Sequence, residues 1–273
     1  MKIYKSLPDL KKTRHMNLWH KALKSGWSPE EIEWESPGTP RLEASCDQVA
    51  RILSPILVGE QAGLYSITSM IGILGKDLDV ESQMYLTTMA VDEARHTELF
   101  TRFYRRIDRE PLPIRRMPNG YLFQSSIISD DPLEWITGTL VSELSAKIMQ
   151  EDLRALGLDP VLDEMCRRIL IDETRHIAFN HIFVEDRFYQ NVLSADGDAS
   201  ALATRLREKL ESVLEKVGPV MGDIHKDCVD IGLEPDKIHA QVCEESRRRL
   251  DNSIASGLER ASRVETVAST EPT

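Results

Sequence analysis

The sequence predicts an all-α protein: a bundle of four long helices with additional N- and C-terminal helices. Three observations carry this reading. Apolar residues recur at i, i+3, i+4 and i+7 over long segments, Pro and Gly are gathered into a few short stretches, and no stretch makes a convincing strand. The Pro/Gly stretches are 26–40, 110–120, 157–160 and 194–198, and the helices must lie between them.

A short helix is expected at about 8–24, followed by a Trp- and Pro-rich arm over 26–45, with Trp27 and Trp34, wrapping the outside of the bundle. The four core helices follow at about 43–75, 79–109, 131–156 and 160–192. The third opens on Asp-Asp-Pro and the fourth on Pro160, both N-terminal signals. Two more helices are expected at about 199–221 and 235–262. Residues 1–262 then form one domain with its core bundle at about 43–192, and 263–273 read as a disordered tail.

The 273 residues are enough for a substantial core, and 41% hydrophobic with 29% charged content is ordinary for a soluble globular protein. A net charge of −11 argues against nucleic acid or an anionic membrane surface as partner. The four cysteines form no C-x-x-C pair and no disulfide framework, which fits a reducing, cytoplasmic location. No stretch approaches 18 uninterrupted apolar residues and the N-terminus lacks a signal-type apolar core, so no membrane association is expected.

The chemistry is carried by a repetition. Asp-Glu-x-Arg-His occurs at 92–96 and again at 172–176. In each copy Glu and His are three apart and share a helix face, so Glu93 with His96, and Glu173 with His176, can each reach one metal ion. Two further carboxylates, Glu60 and Glu143, lie among apolar or small helical neighbours, where an unpaired charge costs several kcal/mol unless it is coordinated. The order Glu, Glu-x-x-His, Glu, Glu-x-x-His supplies a complete ligand set for two metal ions in a helical bundle. Four carboxylates balance two divalent ions, and carboxylate with imidazole and no thiolate suits iron or manganese. Asp92 and Asp172, four residues before each His, can accept the second imidazole N–H across the bundle, and Arg95 and Arg175 can neutralise them. Bridging is expected from Glu93 and Glu143, or from Glu143 and Glu173. A lone Glu-x-x-His is usually a solvated helix face; two aligned copies with two isolated apolar-face glutamates do not fit that description.

These residues resemble the ferritin-like di-iron carboxylate oxygenase and oxidase superfamily over about 43–192, and the Asp-Glu-x-Arg-His form is similar to multicomponent monooxygenase hydroxylases, aminobenzoate N-oxygenases and acyl carrier protein desaturases. The N-terminal arm is similar to that of ribonucleotide reductase small subunits and related ligand-binding oxidases. The resemblance implies a ferritin-like four-helix bundle and two iron ions (Fe/Fe, or Mn/Fe). It further implies O2 as co-substrate, a small-molecule organic substrate that is hydroxylated or N-oxygenated, and an external electron donor, a reductase or ferredoxin. A homodimer is expected. The alternatives are a desaturase-like or fatty-ligand oxidase and, from another class, a ferroxidase or a radical-generating subunit.

Departures narrow the likeness. Phe100 stands where reductase subunits carry a radical Tyr; Ala62 and Gly138 stand where the ligand-binding oxidases form a Val–Tyr crosslink. Ile169 replaces the seventh-ligand His of the N-oxygenases, and Lys147 replaces a Thr of the multicomponent hydroxylases. Ala62, Gly63, Gly138 and Ala146, with Phe100, are the expected lining of a substrate pocket beside the metals, with tight helix packing as the competing reason for the small residues.

Overall fold

The computed structural model describes residues 7–76, 78–194 and 197–270, with side chains to residue 263. Among these residues every regular element is helical: α1 (Thr13–Lys24), α2 (Pro40–Leu74), α3 (Val80–Arg106), α4 (Pro118–Ile127), α5 (Pro132–Ala155), α6 (Pro160–Val192), α7 (Ala199–Leu214), α8 (Val217–Ile231) and α9 (Pro235–Thr270), with short 3-10 turns at Pro29–Glu31 and Ile114–Arg116.

The four core helices start where side chains satisfy otherwise orphaned N–H groups. Thr39 Oγ1 accepts from Leu42 N at 3.1 Å, Asp79 Oδ1 from Ser82 N at 3.2 Å, Asp131 Oδ1 from Leu133 N at 2.8 Å, and Asp159 Oδ1 from Val161 N at 2.9 Å. Pro40, Pro132 and Pro160 then occupy the first turns of α2, α5 and α6, where the missing donor costs nothing. Asp79 also ties elements together, pairing with Lys12 beside α1 at 2.6 Å and with Arg187 of α6 at 3.0 Å.

Helix α2 packs on α3 and α5 on α6; the pairs meet through α2–α5 and α3–α6. Their inward faces form one apolar core that includes Leu53, Ile67, Tyr85, Phe103, Leu162 and Phe179, all between 0 and 1% exposed. Helix α1 lies against α3 and α6, α9 crosses α5 and α6, and α4 and α8 cover the outer side of α2. By length and composition alone α2 would suffice to cross a membrane; in this fold it is one wall of the bundle, with Glu60 turned into the core.

Three expectations change. The segment after 110 holds α4, absent from the sequence reading: Pro118 starts it, and its ten residues are too few for apolar periodicity to stand out. The helix expected at 199–221 is two, α7 and α8, because Gly218 and Pro219 restart the chain at a new first turn, and α8 closes on Gly232 in the left-handed region (φ 99°). Helix α9 continues to Thr270, through most of the segment expected to be a tail; 271–273 lie outside the described residues.

Candidate metal centre

Each core helix turns its acidic side chains inward at the same level of the bundle. Glu60 comes from α2, Glu93 and His96 from α3, Glu143 from α5, and Glu173 and His176 from α6, all 0 to 6% exposed. His96 Nδ1 lies 3.1 Å from Glu60 Oε2, and His176 Nδ1 lies 3.1 Å from Glu143 Oε2, so each half of the bundle contributes one Glu–His pair. Ligand-type atoms of Glu60, Glu93 and His96 lie within 4.8 Å of one another, as do those of Glu93, Glu143 and His176. Glu93 therefore belongs to both groups. Glu173 also spans them, with Oε1 3.8 Å from His96 Nδ1 and Oε2 3.7 Å from His176 Nδ1.

The bridging expectation, Glu93 with Glu143 or Glu143 with Glu173, differs from the placing of these side chains. The glutamates between the two imidazoles are the two of the repeated motif, Glu93 and Glu173, while Glu60 and Glu143 sit at the ends. The cause is azimuthal: i and i+3 on one helix bring a motif glutamate beside its own His, and the facing helix supplies the other His.

The donor set fits two cations. Among the described residues no Lys or Arg pairs with any of the four glutamates; their basic contacts are the two imidazoles alone. Glu60 Oε1 and Glu173 Oε2 are buried with no hydrogen-bond partner. Four clustered carboxylates without a fixed cation are costly unless protonated or coordinated, and an all-oxygen and imidazole set suits iron or manganese.

Around this cluster runs a second layer. His96 Nε2 donates to Asp172 Oδ2 and His176 Nε2 to Asp92 Oδ2, both at 3.2 Å, each bond crossing between α3 and α6. With Nε2 carrying the proton, Nδ1 presents its lone pair to the cluster. Arg175 Nη2 reaches Asp92 Oδ2 at 2.9 Å and Asp172 Oδ1 at 2.6 Å. Arg95 pairs with Asp92 and reaches Asp172 Oδ2 at 3.2 Å.

Sequence reasoning missed Trp27. Its Nε1 donates to Asp172 Oδ2 at 3.0 Å, its ring lies near-parallel to that of His96 (centroids 6.4 Å apart, 16° between planes), and Arg95 Nη1 donates to its carbonyl at 3.0 Å. The arm therefore enters the second layer instead of only wrapping the bundle. A half-buried indole N–H needs an acceptor, and that requirement was the one available signal, but the partner is 145 residues away and no local spacing points to it.

Without bound cations, burial and mutual repulsion favour protonation within the cluster. Burial pushes the Glu93 and Glu173 carboxyls well above the usual carboxylate range, reinforced by the charges of Glu60 and Glu143 on Glu93 and of Glu143 on Glu173. Burial opposes charge on His96 and His176, but neighbouring carboxylates, Glu60 and Asp172 for His96 and Glu143 and Asp92 for His176, outweigh it and raise both. Burial also opposes charge on Glu143, yet the hydrogen bond from Glu173 and the charge of His176 hold it below its usual range. A raised pKa favours the protonated form, and coordination requires such protons to leave. Adding zinc(II) or manganese(II) to metal-free protein in weak buffer is thus expected to acidify the solution, with apparent metal affinity falling as pH drops. A pH-independent affinity would show that these groups are not the ones displaced.

A cavity of about 450 Å³ opens from the surface onto Glu60, Glu93, Glu143 and Glu173, between α2, α4, α5 and α8. Ala62, Gly63 and Ala146 line it; Gly138 and Phe100 do not. A Cβ on Gly138 would meet the Ile127 backbone at 3.1 Å, so this glycine serves the close approach of α5 to α4. Phe100 is 1% exposed inside the apolar core. The walls without a sequence signal come from α4 and α8, including Phe123, Ile127, Met221 and Ile224. Lys147 is engaged with Glu151 at 2.6 Å.

The family model of the p-aminobenzoate N-oxygenase AurF matches residues 68–196, a stretch that includes both repeats and Glu143. A variant of an R2-like ligand-binding oxidase with an anaerobically reconstituted Mn/Fe cofactor superposes with a TM-score of 0.74 at 18% identity, covering 90% of this chain and 95% of that one. An R2-like ligand-binding oxidase after photoconversion gives 0.67 at 16% identity (92% and 98% covered), and a variant with an aerobically reconstituted Fe/Fe cofactor gives 0.62 at 17% identity (92% and 98% covered). The chain has the ferritin-like fold of these structures, is similar to the N-oxygenase family over residues 68–196, and carries two buried carboxylate–imidazole groups able to hold metal.

Proposed function

We propose that the protein is an O2-dependent di-metal oxygenase that hydroxylates or N-oxygenates a small organic molecule held between α2, α4, α5 and α8. One observation carries this: Glu93 belongs to two carboxylate–imidazole groups, and these groups form the floor of a largely apolar cavity. In this reading Glu60, Glu93, His96, Glu143, Glu173 and His176 hold two iron ions, or one manganese and one iron. The bound pair supplies O2 activation.

The chain's own residues do the rest. Asp172 and Asp92 keep the Nε2 protons of His96 and His176 and so fix which nitrogen faces the metal. Arg95 and Arg175 pair with those aspartates and hold them in place, and the apolar walls exclude water from the reacting atoms. Monooxygenation needs two electrons beyond the substrate's own, so a separate reductase or ferredoxin is part of the proposal. Four free cysteines support a cytoplasmic setting.

The cavity favours this over iron storage, which has no use for an apolar passage to the carboxylates. The same apolar lining, with the fold similarity to ligand-binding oxidases, supports a second reading as a fatty-ligand oxidase. Two measurements test the proposal. Glu143→Ala and His176→Ala should each lower metal content from about two ions per chain towards one; unchanged content in both would refute the ligand assignment. Exposing iron(II)-loaded protein to O2 should give one substrate-coupled oxidation, whereas a growing ferric mineral or a stable radical signal would count against an oxygenase.

A further inference from the structure

The cavity has a chemical sidedness that bears on what it admits. Its floor is four carboxylates, and its walls are apolar, from Ile56 and Val58 of α2, Met149 of α5 and Val220 of α8 among others. Its outer part carries polar but non-ionic groups: Tyr121, Gln124 and Ser125 of α4 and Ser142 of α5. Among the described residues no Lys, Arg or His lines it.

Cations nearby are already committed. Lys147 pairs with Glu151. Lys209 Nζ donates to the carbonyls of Ser126 at 2.7 Å and Ile128 at 3.2 Å, holding the end of α4 in place. The protein as a whole is at −11. An anionic end held in the outer part, away from the metals proposed at the floor, would lose its hydration against apolar walls with no cation beside it to replace that hydration. The outer polar groups offer the opposite. The side chains of Tyr121, Gln124, Ser125 and Ser142 make no hydrogen bond to other described residues, and each can donate and accept.

We propose that this site selects an uncharged, largely apolar molecule with a hydrogen-bonding, non-ionic end such as an amide, ester or alcohol, and discriminates against free carboxylates. The oxygenase reading supplies the chemistry at the floor; the selectivity concerns binding and stands on the lining. Orientation follows from the two ends. The apolar part carrying the reacting atom lies toward Glu93 and Glu173, and the polar end meets Gln124 and Ser142.

Matched pairs test this on protein loaded with redox-inert zinc(II) and checked for metal content: benzamide against benzoate, and decanamide against decanoate, by titration calorimetry. Each amide is expected to bind tighter than its carboxylate by roughly tenfold or more. Gln124→Lys places an ammonium in the outer cavity without touching the carboxylate floor, and should raise affinity for the carboxylates by a similar factor while the amides change little. Carboxylates that bind wild-type protein as tightly as the amides would overturn the proposal, as would a Gln124→Lys variant with no gain for them, or binding of neither member of a pair. Failure of the iron-loaded protein to couple O2 to substrate would count against the oxygenase reading alone and leave these zinc-protein affinities intact.

Discussion

Arg175→Ala is expected to lower the thermal unfolding midpoint of the metal-free protein by on the order of 10 °C. Arg175 is 1% exposed and its guanidinium bridges Asp92 and Asp172, which are 3% and 0% exposed. Removing one member of such a buried network leaves uncompensated carboxylate charge and costs about 3–5 kcal/mol, and for a chain of this length each kcal/mol moves the midpoint by roughly 2–4 °C. Arg95 remains, but it is already engaged with both aspartates and cannot supply a second charge. Arg175→Met keeps much of the aliphatic bulk and should lose nearly as much, which separates charge from packing.

The pH dependence gives an internal check on the same variant. Burial opposes ionisation of Asp172, but the hydrogen bond from His96 and the charges of His96 and Arg175 outweigh it and depress its pKa strongly. A depressed carboxyl contributes stability above the unfolded-state pKa, and that contribution fades as pH falls through the folded-state value. The gap between wild type and Arg175→Ala, measured by circular dichroism, is therefore expected to be full near neutral pH and to narrow in acid. A gap that widens in acid would mean that Arg175 acts by something other than holding Asp172 ionised.

The sequence could disclose so much of this centre because helical spacing is rigid. Once α3 and α6 are helices, Glu93 and His96 must share a face, as must Glu173 and His176; an isolated Glu60 or Glu143 on an apolar stripe is too costly to keep unless something coordinates it. The core helices were equally visible, since α2, α5 and α6 start on Pro and every one of the four has a Thr or Asp cap. What spacing along one helix cannot give is the rotation of helices against each other. That rotation decides that Glu93 and Glu173 lie between the imidazoles, and it brings Trp27 onto Asp172. Gly138 shows the limit within a single helix. Five residues before Glu143 is about 140° around the axis, so it faces α4 and not the cavity. Phe100 shows another: it lies on the ligand stripe of α3, seven residues past Glu93, yet that part of the stripe is packed core. Because α4 is too short to show periodicity, the cavity wall it builds had no sequence signal at all.

Gly63→Ala should separate metal binding from folding. Gly63 lies one turn after Glu60 on α2, and a Cβ there would stand 2.8 Å from Glu93 Oε2 and 3.1 Å from its Cδ, closer than the atoms can pack. What must yield is the carboxylate end of a flexible side chain, so the backbone of α2 and α3 can stay in place while Glu93 swings aside. Alanine in a helix interior is also favoured over glycine by about 0.5–1 kcal/mol. The metal-free variant should therefore melt at or slightly above the wild-type midpoint. Its metal affinity should fall by roughly 10–100-fold or more, a loss at least as large as disturbing an outer-layer partner, and both ions should be affected, because Glu93 belongs to both carboxylate–imidazole groups. Gly59→Ala is the matched control. It sits on the same helix beside the same cavity, but its Cβ would meet Gln124 Nε2 at 3.4 Å, an ordinary contact, and metal binding should persist. Equilibrium dialysis against manganese(II) or zinc(II), with melting curves of the metal-free forms, reads both quantities. If Gly63→Ala binds metal like wild type, Glu93 is not held against α2 as the structure places it; if both variants lose metal equally, the effect comes from stiffening α2 and not from the clash at Glu93.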